Sequence, residues 1–182
     1  TGSDEAGSAV GMQAGKEIKK SVLELGGSDP FIVLDDADIT KASKTAITAR
    51  FFNTGQSCIA AKRFLIHEAV YDEFISNIKK DMENLVVGDA LKEETEIGPL
   101  AKKEFIKDID QLVQSSITQG AKCILGAEIK DCYYIPTLLI DVTEDMSVFR
   151  KETFGPVFCV TKIKDIDDAI RLANNSDYGL GG

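Results

Sequence analysis

A chain of 182 residues, 43% apolar and 28% charged, has the material for one large folded unit, and this composition excludes a disordered tract or a collagen-like repeat. With 21 lysines and arginines against 30 aspartates and glutamates, the formal charge is −9, which argues against nucleic acid or an anionic lipid surface as a partner. No apolar run nears the ~20 residues of a membrane-spanning helix, and no basic segment leads into an apolar one as a secretory signal would.

In chain order, Ser3 is placed to cap a helix whose first turn carries Asp4 and Glu5 and which runs on towards Lys16, Lys19 and Lys20. Ser21 to Leu25 reads as a short strand stopped by Gly26-Gly27, and Phe31 to Leu34 as a second. Asp38 caps a helix from Ile39 to about Arg50, and Lys62 to Ile66 is strand-like. Val70, Phe74, Ile78, Met82 and Leu85 recur at helical spacing. After Gly98-Pro99 a second amphipathic helix carries Phe105, Ile109, Leu112 and Val113 and stops at Gly120. Cys123 to Leu125, Tyr133 to Val142 and Val157 to Ile163 read as strands, and Ile166 to Ala173 as the last helix. Strands alternating with such helices predict an α/β fold, an open sheet flanked by helices. A strand-to-helix turn at Thr1-Gly2-Ser3 with no strand before it, and a closing loop over Tyr178 to Gly182, predict a piece of a larger protein.

The four cysteines, at 58, 123, 132 and 159, lack CxxC spacing, and the single histidine, His67, cannot anchor a His-based metal cluster. A reduced, cytoplasmic setting with no metal is expected. The helical pattern breaks at Asn53-Thr54-Gly55, just before Cys58. That break would expose the thiol on a turn, where backbone N–H groups can make it a reactive thiolate; the alternative is an inert, apolar cysteine. The other three lie in strand-like apolar contexts. His67, nine residues on, is too far along an extended strand to serve as a protease base. Glu24 is either a buried acid tuned to act as a general base or the wet-face member of an alternating Leu23-Glu24-Leu25. Glu152, before the Gly155-Pro156 turn, is either a ribose-binding carboxylate or a solvated loop charge.

Taken together, Leu23-Glu24-Leu25-Gly26-Gly27, Asn53-Thr54-Gly55-Gln56-Ser57-Cys58 and Glu152-Thr153-Phe154-Gly155-Pro156 resemble the aldehyde dehydrogenase superfamily, in its order and near its spacing. Thr1-Gly2-Ser3 with Gly7 resembles the turn and helix that hold the cofactor pyrophosphate in that family. The resemblance covers the whole chain, as about two-fifths of a family member. It implies that Cys58 is the nucleophile and Glu24 the general base. By the same resemblance Glu152 binds the nicotinamide ribose, Phe154 lies beside the nicotinamide, Gly2 and Ser3 meet the pyrophosphate, and the Leu25 carbonyl meets the nicotinamide amide. The cofactor is then NAD or NADP.

The implied reaction passes from a thiohemiacetal to a thioester on Cys58, which Glu24 and water hydrolyse to the acid. The backbone N–H of Cys58 would share the oxyanion with an asparagine upstream of this chain. Residues 1–27 would be the last helix and strand of a Rossmann-like cofactor domain, and 28–182 most of the catalytic domain. The isolated chain is expected to be inactive and its full-length parent a homo-dimer or homo-tetramer. The strings around Cys58 look most like enzymes of succinate semialdehyde and similar small aldehydes. Phe52, however, stands where many succinate-semialdehyde enzymes carry an arginine, which favours an uncharged aldehyde such as glyceraldehyde or lactaldehyde. Arg50 and Arg150 are candidates to replace that arginine, but read more simply as surface charges. The rivals are a coenzyme-A-acylating reaction and a non-enzymatic module with an idle site.

Overall fold

The computed structural model describes residues 1–182. Its centre is a five-stranded sheet of β1 (Pro30–Val33), β2 (Arg63–His67), β3 (Lys122–Leu125), β6 (Thr137–Ile140) and β7 (Val157–Ile163). The strand order is β1-β2-β7-β6-β3; neighbours are parallel except β3, which runs antiparallel to β6. β4 (Ile129–Lys130) and β5 (Tyr133–Tyr134) form a separate two-stranded ribbon.

Strands β2 and β7 are almost wholly buried because both faces of the sheet are covered. Side chains alternate across the sheet, so Phe64, Ile66, Phe158 and Val160 fall on one face and Leu65, Val157, Cys159 and Ile163 on the other. α2 (Ile39–Phe51) and α3 (Tyr71–Glu83) cover the first face with Ala46, Phe51, Phe74 and Ile78, and the Phe64 and Phe158 rings stack at 3.7 Å between centroids. α4 (Lys103–Thr118) and α6 (Ile166–Asn174) cover the second with Ile106, Ile109, Val113, Ala169 and Leu172. A one-turn helix, α5 (Ser147–Arg150), precedes β7.

Three expectations change. α1 (Asp4–Lys16) is capped by Ser3, whose Oγ accepts from Ala6 N, but it ends before Lys19 and Lys20 as the chain turns left-handed at Ile18 (φ 52°). Ser21 to Leu25 is unpaired within residues 1–182, and one backbone bond, Gly2 N to the Glu24 carbonyl (3.1 Å), ties it down. Tyr133 to Val142 is broken into β5 and β6 by Pro136, which has no N–H for a ladder.

The topology also explains how residues near 25, 58 and 152 meet. Each of those segments leads into a strand, namely β1, β2 and β7, and these three lie side by side, with Pro30 opposite Arg63 and Arg63 opposite Cys159. Strands spaced ~4.8 Å apart put all three entries within about 10 Å at the amino-terminal edge of the sheet.

Candidate active site

After α2 the chain passes through three successive left-handed residues, Asn53 (φ 51°), Thr54 (φ 58°) and Gly55 (φ 74°). Left-handed backbone is costly for a β-branched threonine, so this turn must be held from outside. Asn53 Nδ2 donates to the Gln56 carbonyl (3.0 Å), Thr54 Oγ1 accepts from Gly98 N (3.0 Å), and Gln56 Oε1 accepts from Ala101 N (2.8 Å). Only glycine suits position 55, where any Cβ would collide with the Arg50 guanidinium and the Gly155 carbonyl.

Arg50 is not the surface charge expected from sequence; it is fully buried. Its guanidinium donates to the carbonyls of Ala61 (2.8 Å), Gly55 (3.0 Å), Thr153 (3.0 Å) and Gly155 (2.5 Å). Burial lowers its pKa to about 10, against the pull of Cys159 and Glu152, so it stays charged at neutral pH. Arg150 is exposed, paired with Asp145 and bonded to Asn175 Oδ1.

A second buried cation holds the backbone around the thiol. Lys62 is 0% exposed, and its ammonium donates to the carbonyls of Ser57 (3.0 Å), Cys58 (3.0 Å) and Ala60 (2.9 Å). It also pairs with Glu152 Oε1 at 3.4 Å. Burial is the main cause of its lowered pKa, followed by the nearby Arg50, while Glu152 and Asp29 pull the other way. Glu152 Oε1 accepts from Gly27 N (3.2 Å), and Glu152 N donates to the Tyr178 hydroxyl (3.4 Å). Gly27 closes the group: a Cβ there would stand 2.5 Å from the Cys58 carbonyl oxygen.

Cys58 itself is half-buried on the turn beyond Gly55. It opens into a cavity of about 620 Å³ whose wall includes Gly2, Ser3, Leu25, Glu152 and Phe154, with Phe105, Asp108, Ile109 and Leu112 of α4 opposite. Six of the seven residues singled out in the sequence therefore meet. Glu24 is the exception. It is exposed and outside the cavity wall, as alternation requires: the Leu25 side chain packs on Gly7 of α1, and Leu23 approaches Gly11. Within residues 1–182, Glu24 lies on the wet face of that alternation.

Phe52 and Ile59 flank the turn and are 65% and 66% exposed. Cys159 is buried, and burial pushes its thiol up to about 12; burial also raises Cys123. His67 ends β2, and its Nδ1 accepts from Ala69 N, well away from Cys58 along the strand.

The cavity suits the nicotinamide end of a dinucleotide. It offers the free carbonyl of Leu25, the Glu152 carboxylate as a hydroxyl acceptor, the Phe154 ring and the amino end of a 13-residue helix. Lys62 escaped the sequence reading, and Arg50 was read as a surface charge. A signal for Lys62 was there: two basic residues, Lys62 and Arg63, inside an apolar run, Ala60-Ala61-Lys62-Arg63-Phe64-Leu65-Ile66, which cannot face water if β2 is central. Arg63 is buried too, donating to the carbonyls of Ser28, Leu172 and Ala173. No helix is long and apolar enough to cross a membrane.

Residues 1–182 match the aldehyde dehydrogenase family. The chain is 50% identical to an aldehyde dehydrogenase of Paenarthrobacter nicotinovorans, over 99% of this chain and 40% of that protein. It is 47% identical to a succinate-semialdehyde dehydrogenase [NADP(+)] of Mycobacterium ulcerans, over 100% of this chain and 40% of that protein. Among solved structures, lactaldehyde dehydrogenase from Escherichia coli superposes with a TM-score of 0.95 at 38% identity, covering 98% of this chain and 38% of the other. The chain thus spans about two-fifths of the relatives it matches.

Proposed function

The chain belongs to the aldehyde dehydrogenase family, and from that premise we propose that the protein carrying it oxidises a small, uncharged aldehyde to its acid with NAD or NADP. The observation that carries this reading is the meeting of Cys58 and Glu152 in one cavity, on a turn tied down by two buried cations. In this reading residues 1–27 close the cofactor domain, and 28–182 form most of the catalytic domain.

The Cys58 thiolate attacks the aldehyde carbon. An S–C bond forms, and the carbonyl π pair moves to oxygen, where the Cys58 N–H meets it. Glu152 would hold the ribose and the Leu25 carbonyl the amide of a dinucleotide, which would supply the two-electron acceptor needed to oxidise the adduct to a thioester. Water then attacks the thioester carbon, its proton passes to Glu24, and the C–S bond breaks to return the thiolate and release the acid. Glu24 adjoins the cavity-lining Leu25 in the chain, and its exposed side chain is free of any protein partner that would hold it away.

Two features favour an uncharged substrate. Phe52 is apolar and exposed beside the turn, and Arg50 is committed to four backbone carbonyls, so it cannot pair a substrate carboxylate. The position of Glu24 outside the cavity supports a second reading, in which an external thiol rather than water takes the acyl group.

The test is the appearance of reduced cofactor from the full-length protein with glyceraldehyde, lactaldehyde and succinate semialdehyde. Turnover lost in Cys58→Ala, and halted after one equivalent in Glu24→Gln, is the expected result. Turnover that requires an added thiol would transfer the assignment to acyl transfer, and preference for succinate semialdehyde would refute the uncharged-substrate argument.

A further inference from the structure

The geometry points to Lys62 as a positioning residue that aims the oxyanion-binding N–H of Cys58 by pinning the other end of the same peptide unit. This inference rests on Cys58 being the nucleophile.

The peptide joining Ser57 to Cys58 is trans, as are all the peptide bonds here, so its C=O and N–H point in opposite directions across one rigid plane. The Lys62 ammonium donates to that C=O from a site with no solvent exposure. Pinning the carbonyl leaves the N–H aimed away from Lys62, and this N–H donates to no acceptor in the protein. It is an uncommitted donor on a half-buried turn at the cavity wall.

The next peptide plane is fixed in the same way through the Cys58 carbonyl, and the Ala60 carbonyl takes the third ammonium proton. All three donors of Lys62 are therefore spent on the backbone that frames the thiol. The ion pair to Glu152 then sets the ammonium against the loop leading into β7. A hydrogen bond to a peptide oxygen also polarises that peptide and strengthens its N–H as a donor. The charged groups facing the ammonium are Arg50 from α2, Glu152 from the loop before β7 and Asp29 from the segment before β1. Asp108 of α4 shares the cavity with Cys58.

Two reactions of Cys58 separate this role from a general one. Acylation by p-nitrophenyl acetate passes through a tetrahedral oxyanion. Alkylation by iodoacetamide displaces iodide at a tetrahedral carbon and forms no oxyanion. Both need the thiolate, so any change in thiol acidity moves them together.

In the full-length protein, with modification at Cys58 read by peptide mass spectrometry, Lys62→Met is expected to lower the ratio of acylation to alkylation rates roughly 10-fold. That is less than the 10²–10³ lost when a donor is removed outright. Lys62→Arg should recover part of the ratio. A folded Lys62→Met with both rates lowered in step, or neither changed, would overturn the proposal. If neither variant folds, the wild-type protein decides: a scalar coupling between Lys62 Nζ and the Ser57 carbonyl carbon is expected, and its absence during normal acylation would equally overturn it. Failure of aldehyde turnover with the ratio still dependent on Lys62 would instead count against the proposed reaction alone.

Discussion

Replacing Arg50 with methionine removes the three N–H groups, one on Nη1 and two on Nη2, that serve the carbonyls of Ala61, Gly55, Thr153 and Gly155. At about 2 kcal/mol for each charged donor, the loss is about 6 kcal/mol. Against it stands relief from burying the guanidinium. The lowering of its pKa from 12.5 to about 10, in which burial outweighs the pull of Cys159 and Glu152, puts that relief on the order of 3 kcal/mol. A net destabilisation of about 3 kcal/mol remains, a large share of a typical folding free energy. With a urea slope of about 2 kcal/mol/M, the unfolding midpoint should drop by about 1.5 M, followed by far-UV circular dichroism. Arg50→Lys is expected to do no better, because it keeps a buried charge and loses the fork that reaches four acceptors in different directions. Midpoints within about 0.3 M of wild type for Arg50→Met, or a milder Arg50→Lys, would refute the reasoning.

Limiting iodoacetamide at pH 8 should label Cys58 ahead of the other thiols. Cys159 is held near 12 by burial, leaving a thiolate fraction on the order of 10⁻⁴, and peptide mapping that found Cys132 or Cys159 labelled first would contradict this. Alkaline stability carries a second signature. Burial raises the Tyr71 phenol to about 12 from 10, so its contribution is complete below pH 10 and is lost as pH rises through 12. Denaturant midpoints across pH 8–12 should fall only in that upper window, and the fall should be shallower in Tyr71→Phe, which also loses the bond from Asp141 N to the Tyr71 hydroxyl.

Most helices and strands were legible because their periodicities are local. β7 falls on the residues expected, Val157–Ile163, and α3 follows the Phe74, Ile78, Met82 stripe. The strand expected at Ser21 to Leu25 is unpaired within residues 1–182, and alternation in Leu23-Glu24-Leu25 reports only that two faces differ, not what lies beside them. Those faces are α1 and solvent. Cys58 was legible as a turn thiol, and its meeting with Glu152 came only from family resemblance, since nothing local tells that β2 and β7 are neighbours. Arg50 and Lys62 were misread or missed for one reason. Charge usually means surface, and what reversed it here was a set of backbone carbonyls that no side-chain pattern encodes.

The amino-terminal edge on which the site lies has an electrostatic consequence. In open α/β sheets ligands commonly sit beyond the carboxyl ends of the strands, where the following helices present their positive amino ends. On the opposite edge the arriving helices present carbonyl ends instead: α2 finishes at Phe51 just before the thiol turn, and α5 at Arg150 just before Glu152. Each such terminus carries roughly half a negative charge, the wrong sign for a thiolate or an oxyanion. Arg50 in the last turn of α2 and Lys62 at the mouth of β2 invert that sign locally. Together with the amino end of α1 at the cavity wall, the two buried cations thus supply on this edge the positive charge that helix amides supply on the other.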